Sequence, residues 1–101
     1  MKVVINQCYG GFGLSVEGVL LYEELGGTAE IGRSEYHGKT YFNYYSIPRN
    51  DPILVKVVEQ LGDKANDKYA NLVVVEVPDD AAWHVAEYDG NEWVAEGRTW
   101  P

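Results

Sequence analysis

Gly10, Gly11 and Gly13 fall within the short stretch CYGGFGLS, which follows the apolar run Val3-Val4-Ile5 and precedes a helix-start signal. A flexible backbone between a strand and a helix can expose N–H groups beside the positive end of a helix dipole, and so can cradle a phosphate or another anion. The same glycines also suit a plain strand-to-helix corner that needs positive φ. The spacing is neither a dinucleotide fingerprint nor a Walker loop, and no Lys follows. Phe12, lying between glycines, reads as a lid or a stacking platform. Asn6 and Tyr9 stand just ahead of the loop and are expected to contact the same ligand.

The next candidates are aromatic and basic. In EYHGKTYFNYYSIPR, Tyr36, Tyr41, Phe42, Tyr44 and Tyr45 could stack on a flat ligand such as a nucleobase, or serve as packing or interface residues. Arg49 immediately precedes Asn50-Asp51-Pro52, a helix start, so it could join free N–H groups in an anion pocket or be an ordinary exposed Arg. Arg98 in the tail GRTWP could be a second anion contact. The expected ligand set is therefore Asn6, Tyr9, Gly10, Gly11, Phe12, Gly13, Tyr44, Arg49 and Arg98.

Catalytic arrangements are weaker. Cys8 would need an activating neighbour, and the spacing of His37 and His84 indicates no dyad. Glu87, Asp89, Glu92 and Glu96 crowd one hairpin, where Glu87 and one of Glu92 or Glu96 could share a face; solvated charges are the plainer reading. No catalytic residue, metal motif or cofactor motif is expected.

The elements that would position these residues follow from the pattern. Residues 2–8 read as a buried strand, because contiguous β-branched residues suit a strand covered on both faces. Ser15 is an N-cap, with Leu14 and Val19 spaced as a hydrophobic staple, and Val16, Val19, Leu20 and Leu25 near helical spacing. Gly26-Gly27 ends that helix. TAEIGR and KTYFNYYSI are the arms of a hairpin turned at SEYHGK. Asn50 or Asp51 caps a second helix whose stripe is Ile53, Leu54, Val57, Val58, Leu61 and Ala65, with Gly62 ending or kinking it. NLVVVEVP is a second apolar strand, and Asp89-Gly90 turns a last hairpin. The order gives an α/β or α+β domain spanning residues 1–101: a mixed β-sheet, one or two packed helices and a C-terminal β-hairpin.

Composition narrows the partners. The chain is 101 residues long, 46% hydrophobic and 24% charged, as globular chains are. Sixteen acidic residues against eight basic ones give a net charge of −8, which opposes binding to nucleic acid or an anionic membrane. A local Arg cluster can still hold a small anion. One Cys permits no internal disulfide, and the short apolar start is too brief for a signal peptide or a membrane span, so a cytoplasmic location is expected. Eight Tyr and three Trp suit half-buried sites and subunit interfaces, so a homo-oligomer is expected too.

The stretches MKVVINQCYGGFGLS, DPILVKVVEQLG, KAN, NLVVVEVPDD, EYDGNEWVAE and RTW together resemble a family of small uncharacterised proteins of phages and prophages. The likeness covers both ends and the second helix, about two thirds of the chain, and leaves out residues 22–47. It implies a setting, the host cytoplasm, and no established activity or catalytic residue. Small acidic phage proteins without enzymatic motifs are often inhibitors of host systems. The first reading is therefore a non-enzymatic binder that sequesters a nucleotide-derived signal of host immunity. The second is an acidic inhibitor that binds a host protein, and the third a small enzyme using Cys8 or a hairpin carboxylate.

Overall fold

The computed structural model describes residues 1–80 and 82–96, with the side chains of Tyr36, residues 39–43, Tyr45 and Glu96 outside the description. Its elements run β1 (Lys2–Asn6), α1 (Val16–Glu24), β2 (Gly32–Tyr36), β3 (Lys39–Asn43), α2 (Pro52–Leu61), β4 (Leu72–Glu76), β5 (Trp83–Tyr88) and β6 (Asn91–Glu96), with 3-10 turns at Tyr44–Ser46 and Gly62–Ala65.

The class is α+β, as expected, with two packed helices and a C-terminal hairpin. In place of one mixed sheet there are three two-stranded ladders, β1–β4, β2–β3 and β5–β6, each antiparallel.

The β1–β4 ladder is the middle layer. Alternation along a strand sends Val4 to one face and Val3 and Ile5 to the other. On Val4's face lie Leu72 and Val74 with the buried residues of the helices, Val19, Tyr22, Leu54, Val57 and Val58. On the opposite face Val3, Ile5, Val73 and Val75 meet Trp83, Val85 and Val94 of the hairpin. Val3 and Val4 are both 0% exposed, so the contiguous apolar run signals double-sided burial.

Local signals set the helix ends. The Ser15 side chain accepts the Gly18 N–H at 3.0 Å, and Asp51 accepts Ile53 N–H at 2.8 Å with Pro52 opening α2. After α1, Gly27 N–H donates to Tyr22 C=O and Gly26 N–H to Glu23 C=O, a Schellman closure with Gly26 at φ 86°. The apolar face of α1 differs from the expected one. Val16 and Leu20 are more than half exposed, while Tyr22 is fully buried and hydrogen-bonds Asp51. Gly18 takes part in that packing: a Cβ there would press on the Leu14 side chain.

The middle hairpin is shorter than expected. Its turn is His37-Gly38, both at positive φ, and β3 stops at Asn43. Residues 44–46 coil into a 3-10 turn, closed by Ile47 N–H donating to Tyr44 C=O at 3.1 Å, and Ile47 enters the core.

Candidate functional site

The glycine corner is packed against two other segments. Gly10 lies against the backbone of Tyr69, where any Cβ would collide with the Tyr69 carbonyl. Gly90, in the β5–β6 turn at φ 88°, lies equally close to Gly11. Gly11 adopts φ 96° with open space around it. So Gly10 and Gly90 are glycines of close approach, and Gly11 is a glycine of backbone conformation.

Asn6 fastens this end. It is 0% exposed. Its amide donates to Cys8 C=O at 2.8 Å and Gly90 C=O at 2.7 Å, and its carbonyl accepts Asn71 N–H at 2.7 Å. Expected as a ligand contact, it is committed to joining the loop, the hairpin turn and the chain before β4.

Arg49 is likewise engaged within the protein. Its guanidinium forms a two-point ion pair with Glu92, the second bond at 2.7 Å. Glu92 is 8% exposed and also accepts the Asn6 backbone N–H at 2.8 Å. The Arg49 guanidinium lies 3.8 Å from the centroid of the Phe12 ring, a cation–π stack, and Phe12 meets Tyr44 edge-on at 5.8 Å. Phe12 is buried at 7% exposure, so it is a core residue rather than a lid.

The expected set is thus largely brought together: Asn6, the loop, Phe12, Tyr44 and Arg49 share one end of the molecule. What remains accessible there differs from the expectation. Gly10 to Gly13, Tyr44, Asp67 and Tyr69 line a cleft of about 110 Å³. Tyr69, one of the lining residues, is 65% exposed, and Tyr9, which precedes Gly10 in the chain, is 70% exposed. Among the described residues, the backbone N–H groups of Gly10, Phe12 and Gly13 reach no protein acceptor. Phe12 and Gly13 are buried as residues and line the cleft. Asp67 and Tyr69 were missed in sequence; Gly10, with no Cβ to hold Tyr69 away, and Gly13, with none to hold Asp67 away, are the local signs of their approach.

The remaining candidates are scattered. Cys8 is half-buried, and its carbonyl is held by Asn6. His37 lies in the β2–β3 turn, and His84 in β5 with a buried, unpartnered Nδ1. Glu87 and Glu92 face each other in register, as expected, but Glu87 accepts Gly90 N–H at 3.0 Å while Glu92 holds Arg49. The side chains of Tyr36, Tyr41, Phe42, Tyr45 and Glu96, and all of Arg98, lie outside the described residues. Among the described residues, no group of three or more His, Cys, Asp or Glu could hold a metal ion, and no helix is long and apolar enough to cross a membrane.

Comparison of the chain with protein-family models, with curated proteins and with solved structures returns no match.

Proposed function

We propose that the protein is a non-enzymatic binder of a nucleotide-like small molecule, held at the glycine-corner end. The observation that supports this most is the set of N–H groups at Gly10, Phe12 and Gly13 with no acceptor among the described residues, in a cleft lined by the exposed Tyr69, with the exposed Tyr9 one residue before Gly10. Such N–H groups suit phosphate oxygens, and the rings suit a base. Asp67 in the same cleft would repel a bare anion but accepts hydrogen bonds from ribose hydroxyls, so a ligand carrying both groups fits better than phosphate alone.

The cleft is smaller than the roughly 300–1,000 Å³ of ligand-enclosing pockets. The ligand would therefore lie partly across the two tyrosines and be closed over by a second copy of the chain. In the phage setting implied by the resemblance, such a binder would act in the host cytoplasm by sequestering a nucleotide-derived signal of host immunity, with no catalytic step.

Thermal denaturation against nucleotides, cyclic dinucleotides and ADP-ribose-type compounds tests this reading. A ligand at a hundredfold excess over its dissociation constant stabilises by roughly 2.7 kcal/mol. In a domain of this size that raises the midpoint by several degrees. Recovery of the compound unchanged distinguishes binding from turnover.

A second reading, an acidic inhibitor that docks on a host protein, draws on a different face. Tyr88 and Trp93 alternate outward on the C-terminal hairpin and are 68% and 47% exposed. A panel without any shift would favour it.

A further inference from the structure

We propose a second ligand site, for a small carboxylate with an apolar body, in the groove between the start of β1 and α2. The groove has a volume of about 390 Å³, within the range of small-molecule sites. Its walls are Met1, Pro52 and Val55, so most of its lining is aliphatic. Val55 sits on the α2 turn above Pro52 and is 6% exposed, which makes the floor part of the core rather than a mobile surface. Asn50 closes one side and donates to the Met1 sulfur at 3.7 Å.

The charge at the rim selects the headgroup. Lys2, Lys56 and Glu59 line the groove. Lys2 and Glu59 satisfy each other at 2.9 Å. The Met1 ammonium pairs with Glu76 and Asp79. Among the described residues Lys56 makes no ion pair, so it is the rim cation left open to a ligand on a chain of net charge −8. Charges beyond about 8 Å are largely screened at physiological ionic strength, so this open ammonium, rather than the net charge of the chain, decides which headgroup is favoured. An apolar trough with one free ammonium at its edge accepts an aliphatic chain ending in a carboxylate. It disfavours the same chain with a neutral or cationic end. The site is separate from the glycine corner and does not depend on the function proposed there.

Decanoate, titrated below its micellar range into uniformly 15N-labelled protein, tests the site, with n-decanol and the Lys56→Gln variant as controls. The expected result is saturable amide shifts at Val55, Lys56 and Glu59. Decanol should bind more weakly, and Lys56→Gln should weaken decanoate by about threefold, the scale of one exposed charge pair. Lys56 is exposed, so its replacement leaves the fold intact, and an unchanged spectrum of the free variant verifies this. The site is overturned if decanoate gives no saturable shifts there, if decanol binds as tightly, or if Lys56→Gln binds decanoate as the parent does.

Discussion

Arg49 and Glu92 lie 43 positions apart in the chain and form a two-point ion pair that closes the end of the molecule bearing the glycine corner. The Phe12 ring stacks on the Arg49 guanidinium, and the Asn6 backbone N–H donates to the Glu92 carboxylate. It joins the start of α2, β1, the glycine corner and the C-terminal hairpin into one unit.

Removing one partner of such a pair leaves the other charge stranded in a poorly solvated place. Glu92→Ala is expected to lower unfolding free energy by about 3 kcal/mol, since it strands both Arg49 and the Asn6 N–H. Arg49→Met with Glu92→Leu should cost less than the sum of the single changes. Urea denaturation of the four proteins reads this coupling.

The glycine corner makes opposite demands at neighbouring positions. Gly11→Ala meets open space but a strained φ, and should cost about 1–2 kcal/mol. Gly10→Ala meets the Tyr69 backbone, which has nowhere to go, and should cost more and displace the 67–70 segment. Denaturation midpoints and amide shifts at Asp67 and Tyr69 check the order.

Tyr22 links stability to high pH. Burial first, and then its hydrogen bond to Asp51, raise the Tyr22 phenol above its ordinary value of 10.0. The unfolded chain therefore releases this proton before the folded one does. The associated stability is complete below pH 10.0 and declines as pH rises from there through the folded value. Tyr22→Phe should cost about 1 kcal/mol at neutral pH, through the lost bonds to Asp51 and Ala29 N–H, and should flatten the alkaline decline. Denaturation at pH 7 and above pH 10 compares the two.

The parts of the fold that were legible in sequence are those written in local chemistry. Ser15, Asp51-Pro52, Gly26-Gly27 and Asp89-Gly90 each set an end or a turn within a few residues of themselves, and each does so in the structure. Periodicity failed on α1, where VEGVLLYEE has apolar residues on several sides and the buried face is chosen by Tyr22 reaching Asp51. The site was half legible. Glycines beside a strand end located the corner, but nothing local announces that Arg49 will spend its charge on Glu92, or that Phe12 will lie beneath it. Both depend on the hairpin folding back across β1, a long-range event without a sequence period.

The most direct test of the glycine corner as a binding site is a 15N amide titration with the nucleotide or cyclic dinucleotide giving the largest thermal shift in the panel, or with ADP-ribose if none shifts. The predicted result is saturable shifts centred on the N–H groups of Gly10, Phe12 and Gly13 and on Tyr69, with Tyr69→Ala weakening binding about tenfold, the scale of one lost stacking ring. Shifts centred elsewhere, or none at saturating concentration, would contradict the assignment of this corner as the site.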